Sequence, residues 1–247
     1  MENHIVMQSA AKIREVARAA LVGRWKEIVI FMAIYYAITS VVSQILDLFF
    51  YTTRNILIMG QIYQGTIGYG SRIYIFLIAG PMAYGAAIYL LAFFRNKQKD
   101  YGMLFEGFSH FGKAFWLMLL MGIKIFLWSL LFVIPGIIAS IRYSMAFYVL
   151  IDHPEYRANE CIEASKLLML GNKGRYFYLQ LTFFGWYLLA SIPGGIFDYL
   201  SDGFTNILVM FVTSIPVFFV DAYLNMSNTV FYELSRDNLV IVEKSSY

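Results

Sequence analysis

The sequence predicts an all-α fold: a polytopic membrane helix bundle of six transmembrane helices arranged as three hairpins, each preceded by a cytoplasmic amphipathic helix. Three observations predict it. Hydrophobic residues make up 60% of the 247 positions and charged residues 14%, with a mean hydropathy of +0.62, where soluble domains carry about 25% charge. The run 127–152 (LWSLLFVIPGIIASIRYSMAFYVLID) is apolar on every face for longer than a soluble core helix requires, as expected of a segment surrounded by hydrocarbon. The basic residues, finally, are distributed asymmetrically between the apolar segments. The single Cys161 excludes an internal disulfide and a multi-cysteine metal site. Lys12, Arg14, Arg18 and Arg24 interrupt the first 25 residues, which do not resemble a cleaved signal peptide.

Ser9 is placed to cap a first amphipathic helix with Ile13, Val16, Ala17, Ala20 and Leu21 on one face and Gly23 at its end. The first two spans are expected at about 27–50 and 73–94, since roughly 20 apolar residues cross about 30 Å of hydrocarbon. Glycines 60, 65, 68 and 70 fall between these spans in an outer loop and serve turns. Asp100 is placed to cap a second amphipathic helix carrying Leu104, Phe105, Phe108 and Phe111, ended near Gly112. Spans follow at about 115–134 and 137–152, because one helix over 115–152 would measure roughly 57 Å. Pro135 and Gly136 supply the break between them. Asn159 is placed to cap a third amphipathic helix ending before Gly171, and the last spans are expected at about 177–200 and 204–224.

An amino terminus in the cytoplasm puts most of the 19 lysines and arginines inside. Only Arg54 and Arg72 then lie outside, while Lys124 and Arg142 fall within spans. This bias predicts that both termini are cytoplasmic. The chain therefore reads as one membrane domain, 1–247, with units at about 9–94, 100–152 and 159–224 and a cytoplasmic tail 225–247. Residues also repeat: Phe126, Trp128, Leu130, Leu131, Ile134, Pro135 and Gly136 recur as Phe184, Trp186, Leu188, Leu189, Ile192, Pro193 and Gly194 at one constant offset. An internal parallel repeat accounts for the shared F-x-W-x-L-L-x-x-I-P-G, with Pro193 and Gly194 as a second helix break.

Several pieces carry a family resemblance: the G-F before the third span, L-W-x-L-L-x-x-I-P-G-I-I-A, the R-Y-S at 142–144, and S-x-x-L-M-x-G-N-K-G at 165–174. Over most of its length the chain resembles the bacterial integral membrane family known as domain of unknown function 975. That family is distantly similar to the membrane portion of some glycerophosphodiester phosphodiesterases, and this chain has no attached catalytic domain. The resemblance implies a multi-pass protein of the bacterial plasma membrane and brings no established activity.

Catalytic motifs are missing from the sequence. His4, His110 and His153 have no metal-ligand spacing, and no nucleophile elbow or phosphate-binding glycine loop occurs. No cofactor, metal or catalytic residue is expected. Asp198 and Asp202 stand one helical turn apart and read as a solvated helix end. The intramembrane charges point further. Arg142 lies about 9 Å below the expected turn at Pro135-Gly136, and an arginine in the bilayer costs up to about 3 kcal/mol even on the lenient insertion scale. Asp47 and Asp198 sit at comparable depth. Arg142 is therefore read either structurally, as half of a buried ion pair or as a cap on outer-turn carbonyls, or as the site of an anionic headgroup or carboxylate, with Lys124 and Tyr143 as further candidate ligand contacts. Asp221 reads as a wet residue near an interface, and Ser129, Ser140, Ser144 and Ser191 as interhelical bonds.

Two functions remain. In the first, the bundle binds or moves a small amphiphile or lipid, as a transporter does, with Arg142 attracting the head. In the second it is a non-transporting scaffold or accessory subunit, its amphipathic helices resting on the membrane surface. A lipid-modifying membrane enzyme ranks behind both. The expected partners are membrane lipids and a membrane protein, and nucleic acid is not among them; the sequence leaves the oligomeric state open.

Overall fold

The structure, a computed structural model, describes residues 4–58, 61–97, 100–200 and 207–237, with side chains left out at 54–58, 61–67, 198–200 and 207–208. Helix α1 (Ala10–Leu21) begins at Ser9, whose hydroxyl accepts the Lys12 N–H at 3.2 Å, and stops at Gly23 with a left-handed φ of 75°. Its apolar face, Ile13, Ala17 and Leu21, is buried against other helices of the chain. Helices α2 (Trp25–Tyr36) and α3 (Val42–Phe49) form one span through a π-helical turn at Ala37–Val41. Thr39 donates there to the Tyr35 carbonyl at 2.8 Å, occupying a group the widened turn releases.

Strands β1 (Tyr51–Ile58) and β2 (Gln61–Gly68) pair antiparallel, Tyr51 opposite Gly68 and Ile58 opposite Gln61. The sequence placed a loop here. The β-branched and aromatic residues Tyr51, Thr52, Thr53, Ile62, Tyr63, Thr66 and Ile67 favour the ladder instead.

Helix α4 (Gly70–Asn96) descends next and ends at Lys97, with φ 54°. Helix α5 (Met103–Ser109) folds back along it so closely that a side chain at Gly107 would meet the Pro81 carbonyl, and one at Gly85 the Leu104 carbonyl. Helix α6 (Phe111–Leu131) ends at Phe132, which is fully extended, and α7 (Val133–Tyr143) begins directly after it. The turn thus precedes Pro135. That residue lies in the first turn of α7, where its missing N–H costs nothing, and Gly136 permits the close approach of Ser129. Helix α8 (Ala146–Asp152) continues α7 after a break at Ser144–Met145.

Helix α9 (Ala158–Leu168) is capped by Glu160, whose carboxylate accepts the Arg157 N–H at 2.7 Å, and not by Asn159. Helix α10 (Lys173–Leu200) runs through Pro193 and Gly194 without ending, so the second I-P-G is no helix terminus. The position corresponding to Ser129 is Tyr187, too large for the contact that closes the α6–α7 hairpin. In both copies the apolar residues face outward: Phe126 and Phe184 are each 61% exposed.

The last elements are α11 (Ile207–Thr213) and α12 (Ile215–Ser235). The expected tail is therefore helical from 225 to 235, and this is the most deeply buried part of α12. Five helical segments, Trp25–Phe49, Gly70–Asn96, Phe111–Leu131, Val133–Asp152 and Lys173–Phe197, are long and apolar enough to cross a membrane. The expected sixth, 204–224, falls partly outside the described residues and is divided at Ser214.

One end of the bundle is locked by charge. Arg95 bonds Asp152 at 2.6 and 3.0 Å and Glu233 at 2.6 and 2.7 Å. Tyr232 donates to Asp152 at 2.7 Å, and Arg236 pairs with the same carboxylate. The network ties together the ends of α4, α8 and α12. At the same end Arg24 lies 3.8 Å from the Phe93 ring and donates to the Lys97 carbonyl at 2.8 Å.

Candidate functional site

Arg142 stands in the last turn of α7, ten residues after the turn at Phe132 and hence about 15 Å along the segment. It is deeper than a turn at Pro135-Gly136 would have placed it. Its Nε is buried without a hydrogen-bond partner, and the carboxylate its charge acts on, Glu163, is paired instead with Lys166 at 2.6 Å. The group faces a cavity of about 250 Å3 lined by Trp128, Pro135, Ile138 and Ala139.

The backbone that carries Arg142 is held from α9. The Ser165 hydroxyl donates to the Arg142 carbonyl at 2.8 Å and accepts the Met145 N–H at 3.1 Å. It thereby satisfies backbone groups freed where α7 gives way to α8. Two more residues of the S-x-x-L-M-x-G-N-K-G segment also serve the fold. Gly171 adopts φ 82°, and the buried Asn172 accepts the Val6 N–H at 2.9 Å while donating to the His4 and Leu168 carbonyls at 2.9 and 2.7 Å.

Two further candidates converge on the same flank. Lys124, one helical turn before Trp128 on α6, donates to Asn159 of α9 at 2.9 Å. The buried Tyr143 ring lies 5.8 Å from the Lys166 ammonium. Glu163 is the nearby acid: it takes Lys166 at 2.6 Å, which holds its carboxyl below the usual range, and the charges of Lys124 and Arg142 add to the effect. The charges of Lys166, Lys124 and Arg142 thus all act on this one carboxylate.

Asp47 does not join this group. Asp47 accepts the Ser71 N–H at 2.9 Å, and this bond at the start of α4, with Arg72 adding its charge, accounts for the residue's environment. The Asp198 side chain lies outside the described residues, as does Asp202. Asp221 differs from its expected role as a wet end residue. It accepts a hydrogen bond from Tyr187 at 2.5 Å and lines a cavity inside the bundle. The signal was present in the sequence: Asp221, Asn225 and Asn228 repeat at i, i+4 and i+7, which puts three polar groups on one helical face.

The long apolar helices, the exposed apolar faces and a charged flank among them define a multi-pass membrane protein. The family model described as protein of unknown function DUF975 matches twice, over residues 7–138 and 130–238, and the chain belongs to that family. The family region is thus repeated along the chain, the two matches meeting across the I-P-G of 134–136. No curated protein and no solved structure matched the chain.

Proposed function

We propose that the protein binds an anionic amphiphile at Arg142 and moves it along the flank formed by α6, α7 and α9. The observation that carries this reading is the buried, unpartnered Nε of Arg142 in a span. A buried N–H without an acceptor is costly, and an anionic headgroup supplies the missing acceptor as a charge-assisted hydrogen bond. Trp128, Pro135 and Ile138 give an acyl chain an apolar wall beside the guanidinium. Helix α7 is bounded by Phe132 and by the Ser144–Met145 break, and such interrupted helices commonly form the substrate sites of transporters.

The proposed topology has six crossings, with α12 as the last and both termini cytoplasmic in a bacterial plasma membrane. Support comes from the meeting of Arg24, Arg95, Asp152 and Arg236 at one end, as an even number of crossings requires. The His4 N–H also bonds the Ser235 carbonyl at 3.2 Å, which brings the two ends of the described chain together.

Purification into native lipid particles, followed by mass spectrometry of copurified lipid, tests the binding site. The wild-type chain is expected to retain an anionic lipid above its bulk abundance and Arg142→Gln to lose that enrichment; equal lipid profiles would refute the site. A reporter fused after Pro154 is expected in the cytoplasm, and an external signal there contradicts the hairpin plan.

A further inference from the structure

The cavity beside Asp221 has the opposite chemistry. It measures about 330 Å3 and lies among α2, α4, the α7–α8 segment, α10 and α12. Tyr35, Phe147, Tyr148 and Tyr176 supply aromatic walls, Ala83, Ala86 and Ala87 leave the space open, and Asp221, Asn225 and Asn228 line one side. Among the described residues, no lysine, arginine or histidine lines it. Its neighbouring polar groups are already engaged with one another. Gln180 donates to Asn228 at 2.6 Å, Tyr148 shares a hydrogen with Thr229 at 3.3 Å, and the Asn225 amide donates to the Asp221 carbonyl at 2.8 Å. Within the Asp221 carboxylate, Oδ1 takes the Tyr187 hydroxyl, while Oδ2 has no hydrogen-bond partner among the described residues. A neutral hydroxyl does not balance a carboxylate.

We infer that this cavity binds a small alkylammonium group, with Asp221 as its counter-charge and the tyrosine and phenylalanine rings as its walls. A carboxylate in a bundle interior calls for a cation, and aromatic faces favour organic ammonium through the ring quadrupole. The volume falls at the lower end of small-molecule sites. A bare metal ion fits poorly, because no group of three or more histidine, cysteine, aspartate or glutamate side chains among the described residues is arranged to hold one. The ammonium belongs either to a free amine or to the head of a lipid, and the two sources are separable by experiment.

The full chain in maltoside micelles is titrated with ethylamine, tetramethylammonium and, as neutral control, propanol, with binding followed by calorimetry. Saturable binding of an ammonium compound but not of propanol is expected. Asp221→Asn is expected to weaken it at least tenfold, and Asp221→Glu to weaken it less. Ala86→Leu fills the cavity without touching charge and is expected to abolish binding in a folded protein, so the inference remains testable even where Asp221→Asn does not fold. Arg142→Gln is expected to leave ammonium binding unchanged, which keeps this site separate from the anionic one. Saturable displacement of ethylamine by vesicles containing phosphatidylethanolamine identifies a lipid source, and its absence a free amine. Equal binding of ammonium and propanol, no binding of either ammonium compound, or full ammonium binding by Ala86→Leu would overturn the inference.

Discussion

Arg95 and Arg142 are both carried on segments long and apolar enough to cross a membrane, yet their surroundings are opposite. Arg95 is bonded to two carboxylates, and its partners Asp152 and Glu233 are only 11% and 5% exposed. Arg142 has a buried nitrogen with no hydrogen-bond partner, and the carboxylate its charge acts on, Glu163, is already paired with Lys166. Arg95 is compensated by direct ion pairs, whereas Arg142 makes none among the described residues and acts on Glu163 only at a distance. The same distinction separates Glu233, which is paired, from Asp221, which has only a phenol.

The largest effect is expected from breaking the compensated side. Asp152→Ala leaves Arg95 and Arg236 without their shared carboxylate and is predicted to destabilise the fold by about 3–5 kcal/mol, as measured by denaturant titration in micelles. Ser165→Ala comes next. It removes the bonds to Met145 and Arg142 and is predicted to cost about 1–3 kcal/mol, since buried backbone groups lose their partners. Because it also loosens the backbone beneath Arg142, anionic-lipid binding is expected to fall with stability. Arg142→Gln sharpens the comparison most: stability is predicted to change by under about 1 kcal/mol while anionic-lipid affinity falls at least tenfold, as for a lost charge-assisted bond of about 1.5–3 kcal/mol. The smallest effect concerns Cys161. Its thiol is buried and pushed up to about 11, first by desolvation and then by the charge of Glu160. The folded protein is therefore predicted to resist maleimide labelling at pH 7.5 and to react once denatured, as read by mass shift.

Much of the architecture was legible because hydrocarbon imposes a simple length and polarity rule. The spans starting near Trp25, Gly70, Phe111 and Lys173 follow hydropathy, and Ser9, Gly23 and Gly171 mark helix ends by their ordinary chemistry. The carboxy-terminal half of α12 was missed because Ser227, Thr229, Glu233 and Ser235 dilute its hydropathy. Each has an internal partner: the three hydroxyls donate to carbonyls of their own helix at 2.8–3.0 Å, and Glu233 meets Arg95. Such residues bury cheaply while reading as surface. The two I-P-G segments show the limit of a motif, since Ser129 allows a turn in one copy and Tyr187, committed to Asp221, occupies its place in the other. At the site, Lys124, Arg142 and Tyr143 were identifiable as polar or charged residues within or beside spans. That α9 would gather them, and that Asp47 would remain at Ser71, depends on tertiary contacts no local pattern encodes.

The central claim is that Arg142 is held for a ligand and not for the fold. Thermal unfolding of wild type and Arg142→Gln in maltoside micelles, with and without added phosphatidylglycerol, tests it most directly. The account predicts equal midpoints without the lipid and a lipid-dependent rise in the wild-type chain alone, as ligand binding to the native state requires. A variant that unfolds early without lipid, or equal rises in both chains, would contradict it.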